Sequence, residues 1–475
     1  CSVQRCNSAL RVLNAATDEQ VNGRVSRIAE MKVLRAHYYF ELSRLFNKIP
    51  YFDENVEISQ YPDIPNNEFT RDEILSMLAK EMLDAAEQLP ASQPEVGRIH
   101  KYIALAYAAK IKLYQAYQQD EITHAVTSIN KELLREVVSL CDQVTASNRY
   151  GLLDDFQGLD LVTNENGKES VFAIQYSMND GTESAGRINW SNLLNSPGGG
   201  SPYGGDGFFL PSQDLINAYQ TDANGLPDFN YQSKSDYSWA VLNNGVYTLQ
   251  NTTPNVDPRL DFVVGRPTIT WKTYPDKPCE GWVRDKDTYG YNCAKRFWVS
   301  PESSDMFNGW PWGASQLNWQ IIRYADILLW KAEALIELNE GNGLETARDL
   351  INQIRNRARN SAYVKDFNDH SKYAANYLVN PYPADVWNQD YARQALRWET
   401  RLEKALEGER FFDLVRWGIV ETTMNKYITA ESDNRIYYAN AHFTGGKDEY
   451  YPVPNNQYGF SGGKYVQNPG YAPFN

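Results

Sequence analysis

The chain has 475 residues, a formal net charge of −14 and an aromatic content of 13%, including 32 Tyr and 12 Trp. This length can bury a large core, in one elaborate unit or in two to three domains. The acidic balance argues against a nucleic-acid partner, which would require a basic patch. The sequence has no run of about 18 apolar residues and therefore predicts no membrane-spanning helix.

The first part of the chain, residues 1–148, is predicted to be mostly helical. Residues 25–46 form a long amphipathic stretch, which Pro50 follows. Thr70 and Glu73 have the spacing of a capping box at the start of the next helix. Residues 101–117, rich in Ala and Tyr, predict a helix that packs closely on its neighbours. Paired helices of this kind resemble tetratricopeptide repeats, although the repeat consensus is met only loosely.

The middle part, residues 149–320, has a different composition. Helical periodicity fades, while Gly, Asn, Pro and aromatic residues become frequent. Short strand-like runs occur at residues 171–176, 262–264, 268–271 and 297–299. Because long loops inside a compact protein are usually functional, we expect this loop-rich insert to form the ligand-binding side.

The last part, residues 321–475, returns to helical periodicity. Residues 323–359 indicate a helical hairpin with a stop at Gly341, and residues 393–418 indicate a second helix pair. The tail from Asn434 is rich in Tyr, Gly and Pro, and we expect it to pack back on the helices. The predicted fold is mainly α with a minor α+β component. It is one compact unit, in which a helical scaffold, split in sequence, carries the insert.

Several phrases of the sequence, taken in order, resemble the SusD/RagB family of outer-membrane nutrient-binding lipoproteins. They include RAHYYFELSRLFNKIPYF, GRIHKYIALAYAAKIKLYQA, RYADILLWKAEAL, EGERFFDLVRWG and the closing YPVPNNQYGFSGGKYVQNPGY. One such phrase alone would be weak evidence of a resemblance. Their occurrence in the family's order over almost the whole chain makes the resemblance specific. The resemblance implies a SusD-like fold, with a tetratricopeptide-like helical-repeat scaffold on one side and a loop-rich subdomain on the other.

The resemblance also implies a function. Members of the family lie on the cell surface as a lid over a SusC-type, TonB-dependent transporter, where they capture a glycan and hand it into the pore. We therefore expect a surface-exposed outer-membrane lipoprotein that binds oligosaccharide or polysaccharide, is not an enzyme and needs no cofactor. The main alternative is a peptide-capturing member of the family, and a glycoside hydrolase is the third.

Aromatic residues of the insert are the main functional candidates. Sugars present C–H patches that stack on Trp and Tyr faces, and their hydroxyl groups need amide, carboxylate or guanidinium partners. The predicted stacking residues are Trp190, Tyr203, Trp239, Trp282, Tyr289, Tyr291, Trp310 and Trp312. The predicted polar partners are Asn192, Arg284, Asp285, Asp287 and Asn308. Each aromatic could instead be a plug between loops and helices. We expect Trp→Ala at Trp239 or Trp282 to weaken binding without unfolding the protein.

The enzymatic alternative needs two carboxylates that face each other across a cleft, one of them with a raised pKa. Asp285 and Asp287 form one such pair among 60 acidic residues, and nothing in the sequence singles them out. The G-x-S-x-G, H-E-x-x-H and Walker motifs are absent, and the five histidines have no ligand spacing. Asp222 to Gly225 resembles a calcium loop only superficially and is interpreted as a turn. We expect no catalytic residue and no metal.

The cysteines leave two questions open. Cys1 leads directly into an apolar helical pattern, whereas in the family the phrase that resembles RCNSAL lies inside the mature protein. We therefore expect the signal peptide and the lipid-bearing cysteine on an upstream segment that this chain lacks. Cys279 and Cys293 bracket an irregular loop, where either a disulfide or a pair of inert thiols fits the sequence.

Overall fold

The computed structural model describes residues 2–182, 186–195, 198, 200–272 and 278–474, so the predicted role of Cys1 lies outside the described residues. Long helices form an N-terminal set: α1 (Ser2–Ala15), α2 (Arg24–Phe46), α3 (Arg71–Gln88), α4 (Lys101–Ala116) and α5 (Lys131–Ala146). Short helices follow: α6 (Asn192–Asn195), α7 (Gln213–Ala218), α8 (Arg259–Val263) and α9 (Lys286–Tyr289). The C-terminal set is α10 (Tyr324–Leu338), α11 (Gly343–Asn360), α12 (Gln389–Glu403), α13 (Arg410–Arg416) and α14 (Val420–Ser432), with α15 (Asn455–Phe460) in the tail. Among these residues, no helix combines the length and the apolar character needed to cross a bilayer.

Local signals in the sequence explain where helices begin and end. At the start of α3, the Thr70 hydroxyl accepts a hydrogen bond from Glu73 N at 3.2 Å. Thr70 N in turn donates to Glu73 Oε2 at 2.8 Å, so the predicted capping box is confirmed. α10 ends where Asn339 adopts a left-handed conformation with φ 51°, two residues before the predicted stop at Gly341.

Successive helices pack on one another from α1 to α5, and α5 then packs on α10. α10 packs in turn on α11 and α12. Ala104 and Ala108 of α4 are fully buried, as are Ala332 of α10 and Ala347 of α11, because small side chains let the helices approach closely. The two helical sets therefore form one scaffold, and the predicted mainly helical fold is confirmed. The division at residues 148 and 320 stays a prediction.

The strands are short and form two-stranded antiparallel sheets. They are β1 (Tyr117–Gln119), β2 (Val126–Ile129), β3 (Ser170–Ile174), β4 (Gln220–Thr221), β5 (Trp239–Asn243), β6 (Val246–Gln250), β7 (Asn255–Val256), β8 (Val264–Gly265), β9 (Cys293–Ala294) and β10 (Trp319–Arg323). The pairs are β1–β2, β3–β10, β4–β7, β5–β6 and β8–β9. In the β3–β10 pair, Ile174 lies opposite Trp319, so two segments far apart in sequence meet just before α10.

The strand predictions succeeded only in part. Residues 171–174 lie in β3, whereas residues 262–263 belong to helix α8. Residues 268–271 form a turn and irregular backbone with an isolated bridge at Ile269, and residues 297–299 form a turn and irregular backbone. Apolar runs this short fit a buried loop or helix as well as a strand, because only their tertiary surroundings decide between them.

A buried network of ion pairs joins the insert to the C-terminal helices. Arg323 pairs with Glu169 at 2.7 Å, with Glu403 at 3.1 Å and with Glu407 at 2.8 Å. All four side chains are at most 3% exposed. The network continues through the pairs Arg259–Asp257, Arg259–Glu399, Arg355–Glu399 and Arg357–Glu169. Because an unpaired buried charge is costly, this network fixes the insert on the scaffold.

Candidate functional site

The structure separates the predicted aromatic residues by exposure. The exposed ones range from 39% exposure for Trp239 to 61% for Trp310 and include Trp190, Tyr289 and Trp312. Tyr291 is half-buried. Tyr203 and Trp282 are buried, with exposures of 1% and 3%.

Burial removes Tyr203 and Trp282 from the set of stacking candidates. The Trp282 ring lies 4.9 Å from the Trp271 ring, and the Tyr203 ring lies 4.7 Å from the Trp298 ring. Trp271 Nε1 donates to the Tyr203 hydroxyl at 2.9 Å, and that hydroxyl donates to the Val299 carbonyl at 2.7 Å. These aromatic rings form a small core that supports the loops above them.

Two further sets of predicted residues are also structural. Asn192 is 2% exposed, and its Nδ2 donates to the carbonyl oxygens of Phe297 at 3.3 Å and Gly313 at 3.4 Å. It therefore ties loops together and does not face a ligand. Cys279 and Cys293 are buried free thiols. Of the two alternatives that the sequence left open, the structure therefore has unbridged thiols and no disulfide between these two residues. Burial, together with the hydrogen bond between the two sulfurs, raises the pKa of Cys293.

Three predicted residues, Trp239, Asp287 and Tyr291, line a cleft of about 560 Å³. We call it the Trp239 cleft. Its other lining residues are Gln213, Ser235, Asp236, Ala240, Lys286, Gly290, Asn292, Asn434 and Arg435. Its volume falls in the range of roughly 300–1,000 Å³ that is typical of small-molecule sites. The lining mixes one exposed indole with amides and with charges of both signs.

Trp239 is positioned by the hairpin of β5 and β6. It is the first residue of β5 and lies opposite Gln250 of β6. The preceding Ser238 has φ 55°, and its hydroxyl accepts a hydrogen bond from the buried Arg266. Arg266 is held in turn by Asp261, with Nη2 donating to Oδ2 at 2.7 Å. The base of the hairpin is therefore anchored in the core, while the Trp239 ring remains exposed.

The opposite wall of the cleft comes from α9 and the residues after it. Asp285 caps α9 by accepting from Thr288 N at 3.2 Å, and the hydrogen bonds from Thr288 lower the pKa of this carboxyl. Its carboxylate is thus used within the backbone turn, whereas Asp287 lines the cleft. The Tyr291 ring makes an edge contact with the Tyr247 ring at 5.7 Å. This contact packs Tyr291 against the hairpin of β5 and β6.

The C-terminal tail supplies residues that the sequence did not single out. A Cβ atom on Gly290 would lie 2.3 Å from Arg435 Nη2, and Gly290 has φ 77°, so any other residue there would be strained and would displace the end of the Arg435 side chain. Tyr437 contacts Tyr289 with ring centroids 5.9 Å apart. The Tyr-rich composition from Asn434 onward was the available signal. Further along the tail, Asn468 Nδ2 donates to the Phe46 carbonyl of α2 at 2.8 Å.

Glu431 lies next to the cleft, because its carbonyl accepts from Arg435 N at 2.7 Å. Its side chain is 1% exposed and accepts from Asp214 N at 2.5 Å. Burial raises the pKa of Glu431 to about 7, although that hydrogen bond and the charge of Arg435 oppose the rise. This carboxyl therefore titrates near neutral pH beside the cleft.

Trp190, Trp310 and Trp312 form a second set, which we call the outer aromatic group. Asn189 N, beside Trp190, donates to the Ser315 carbonyl at 2.9 Å and brings the two loops together. Asn308 is exposed on the same loop as Trp310. Arg284 has a side chain that is 62% exposed, and its Nη2 donates to the Gly205 carbonyl at 2.8 Å.

The calcium-like stretch is a turn, as the sequence indicated. Asp222 Oδ1 accepts from Asn224 N at 2.8 Å and from Leu226 N at 2.9 Å, so its carboxylate closes its own loop. Within the described ranges, no group of three or more His, Cys, Asp or Glu side chains is arranged to hold a metal ion.

Comparison with known sequences gives a match between residues 168–471 and the SusD family. A SusD-like protein from Bacteroides ovatus is 22% identical over 436 residues, which are 87% of this chain and 63% of that protein. SusD-like protein P2 from Formosa agariphila is 24% identical over 466 residues, which are 97% of this chain and 77% of that protein. This chain therefore spans less than two thirds of the length of the Bacteroides ovatus relative.

Solved structures share the fold. A SusD superfamily protein from Bacteroides vulgatus has a TM-score of 0.69 and 21% identity, with 99% of this chain and 83% of that chain covered. A laminarin-binding SusD-like protein has a TM-score of 0.60 and 21% identity, over 99% and 84% of the two chains. Surface glycan-binding protein A from Bacteroides thetaiotaomicron, in complex with laminarihexaose, has a TM-score of 0.64 and 19% identity, over 98% and 83%. With its fold shared in this way and more than half of its length matched by the family, the chain belongs to the SusD family.

Proposed function

We propose that this protein captures oligosaccharide or polysaccharide chains at the surface of the outer membrane and delivers them to a SusC-type, TonB-dependent transporter. The Trp239 cleft carries the proposal. A sugar ring stacks its C–H face on the exposed indole of Trp239, and its hydroxyl groups pair with the polar groups around it. Asp287, Asn434 and Arg435 supply carboxylate, amide and guanidinium partners within the same cleft.

The arrangement favours sugar over peptide as the ligand. An aromatic ring on the edge of an open cleft suits the flat face of a pyranose, whereas peptide capture uses a row of backbone donors and acceptors along an extended groove. Two SusD-like structural neighbours are described as binding laminarin or as complexed with laminarihexaose, which supports a glycan ligand at the level of class.

The cleft is proposed to bind without catalysis. A glycoside hydrolase needs two facing carboxyl groups, one of which must hold a proton at neutral pH. The carboxylates that line the cleft are Asp236 and Asp287. Asp236 Oδ1 accepts from Asn217 Nδ2 at 2.7 Å and Oδ2 accepts from Asn434 Nδ2 at 3.4 Å, so both of its oxygens have amide donors. Weak, reversible binding is sufficient for capture and release to a transporter.

The first experiment tests binding and chemistry together. The purified protein is run through affinity gels and calorimetry against plant, host and microbial polysaccharides, including laminarin, and each mixture is assayed for released reducing ends. We expect at least one polysaccharide to bind and no reducing ends to appear. The loss of one stacking partner in Trp239→Ala should weaken binding about 10-fold. The control is Tyr451→Ala, which removes an exposed aromatic that packs on Phe46, with ring centroids 6.2 Å apart.

Three outcomes would contradict the proposal: no polysaccharide bound, equal affinity in Trp239→Ala and wild type, or release of reducing ends. The transporter partnership is tested separately, by affinity purification of the tagged protein from native outer membranes. Recovery of a TonB-dependent transporter in stoichiometric amount is the expected result. Recovery of the tagged protein alone, under conditions that retain a known SusC–SusD pair, would contradict that part.

A further inference from the structure

The outer aromatic group is connected to the Trp239 cleft through contacts between loops. Trp312 packs against Gly204, because a Cβ atom on Gly204 would lie 3.0 Å from Trp312 Cβ. The carbonyl of the next residue, Gly205, accepts from Arg284 Nη2 at 2.8 Å. Trp312 and Arg284 therefore flank the same short turn of chain.

The contacts continue from Arg284 toward the cleft. Gly281, three residues earlier in the chain, approaches Tyr247, and a Cβ atom there would lie 3.8 Å from the Tyr247 hydroxyl oxygen. The Tyr247 ring contacts the Tyr291 ring at 5.7 Å, and Tyr291 lines the Trp239 cleft. The loops that carry the outer aromatic group, Arg284 and the cleft thus adjoin one another.

Side chains on these loops are open to solvent. Trp310 is 61% exposed and Trp312 is 52% exposed, and the Arg284 side chain between them and the cleft is 62% exposed. Clusters of exposed large aromatics on a soluble domain usually mark a binding surface. The outer loops therefore offer the same chemistry as the Trp239 cleft, namely aromatic faces beside a guanidinium group.

We propose that the outer aromatic group is a second stacking platform for the same glycan chain that occupies the Trp239 cleft. The ligand is therefore a polysaccharide or long oligosaccharide, whose distal sugars stack on Trp310 or Trp312. The inference rests on the proposed function of the cleft. When one ligand chain joins two platforms, the second contact forms intramolecularly, so affinity increases with chain length although neither platform binds more tightly.

Chain length is the variable that tests this inference. The probes are the panel polysaccharide that binds best and a ladder of its own oligosaccharides, down to the shortest that binds measurably. If laminarin binds best, these are laminarin and laminari-oligosaccharides. Calorimetry compares wild type, Trp239→Ala, Trp312→Ala and the control Tyr451→Ala. Trp310→Ala is a second outer variant, which replaces Trp312→Ala if that protein has a lowered melting temperature.

In wild type, we expect affinity per chain to rise at least about 10-fold from the shortest binding oligosaccharide to the polysaccharide. Trp312→Ala should remove most of this rise and leave affinity for the shortest oligosaccharide unchanged. Trp239→Ala should weaken binding at every length. A wild-type affinity that does not depend on length would overturn the inference, as would outer variants that keep the full rise. Failure of the cleft proposal is a different result: the shortest oligosaccharide would bind Trp239→Ala as well as wild type.

Discussion

Arg323 and Glu407 form a buried ion pair, in which Arg323 Nη2 donates to Glu407 Oε1 at 2.8 Å and Nε donates to Oε2 at 3.3 Å. Arg323 stands where β10 passes into α10, and Glu407 follows α12. Arg296, from the insert, also pairs with Glu407 at 3.2 Å. A single carboxylate therefore holds the end of the insert, the start of α10 and the end of α12 together.

Replacing this carboxylate should destabilise the whole protein. In Glu407→Ala, Arg323 and Arg296 lose a buried counter-charge, and we expect a loss of about 3–5 kcal/mol in the free energy of unfolding. Urea denaturation measures it as a lower midpoint with an unchanged slope. The control Lys80→Ala breaks an exposed pair with Asp84 and should leave the midpoint nearly unchanged. Equal midpoints for Glu407→Ala and wild type would contradict the structural role.

Trp239 and Trp282 were both predicted to stack on a ligand, but their replacement should affect stability differently. Trp282 is packed against Trp271 in the aromatic core, so Trp282→Ala should lower the free energy of unfolding by about 3–5 kcal/mol. Trp239→Ala should cost much less, because that ring is 39% exposed. Thermal unfolding of the two variants, beside calorimetry with a bound polysaccharide, separates the effects. A Trp282→Ala protein as stable as wild type would restore Trp282 as a ligand-binding candidate.

Two glycines allow the position of Arg435 to be tested. Gly290 and Gly245 have φ values of 77° and 80°, so alanine at either site costs about 1–2 kcal/mol of backbone strain. A Cβ atom on Gly290 would also collide with Arg435, whereas one on Gly245 has nothing within 4 Å. We therefore expect Gly290→Ala, but not Gly245→Ala, to weaken glycan binding in calorimetry. Equal affinities of the two variants would mean that Arg435 does not contribute to binding.

Glu431 should make stability depend on pH near neutrality. Its pKa in the folded protein is about 7, raised from an ordinary value of 4.5 chiefly by burial. Its protonated form is therefore favoured by folding, and the stability it contributes is present below pH 4.5 and is lost as the pH rises through 7. Glu431→Gln keeps an acceptor for Asp214 N and removes the charge. The variant should gain stability over wild type between pH 5 and 8, by up to about 3 kcal/mol.

Melting temperatures of wild type and Glu431→Gln across that pH range measure the effect. Glu340→Gln, an exposed glutamate that pairs with Arg135, is the matched control and should show no such trend. A difference between Glu431→Gln and wild type that stays constant with pH would show that Glu431 does not titrate in this range.

The helical scaffold could be predicted from the sequence because its signals are local. The capping box at Thr70 and the small residues Ala332 and Ala347 specify helix ends and close contacts within a few turns of chain. The phrases that resemble the SusD/RagB family, in their order along the chain, predict the overall helical architecture. The positions of the short strands were less predictable, since β8 and β9 pair although they are far apart in sequence.

The composition of the site depended on information that no local pattern holds. Trp239 and Trp282 both occur in the loop-rich middle of the chain. Trp239 follows a hairpin base that Arg266 anchors, whereas Trp282 packs against Trp271 and against Tyr203, which is distant in sequence. Burial depends on tertiary structure. The sequence could therefore identify the aromatic residues of the insert but could not separate the exposed ones from the buried ones. Arg435 was not predicted as a site residue, because nothing in the sequence near an isolated arginine shows that it contacts Gly290 in the folded protein.

The pairing of β3 with β10 has a consequence for how this protein can change. Since Ile174 lies opposite Trp319, all the chain between them leaves and re-enters the scaffold at a single ladder. Exposed loops within that stretch can lengthen, shorten or be replaced without moving the helices that flank it, provided that Arg259 and Arg296 keep their buried pairs with Glu399 and Glu407. Exchanging the exposed loops of this stretch, while Arg259 and Arg296 are kept, is therefore the natural design for altering ligand preference without rebuilding the helical frame.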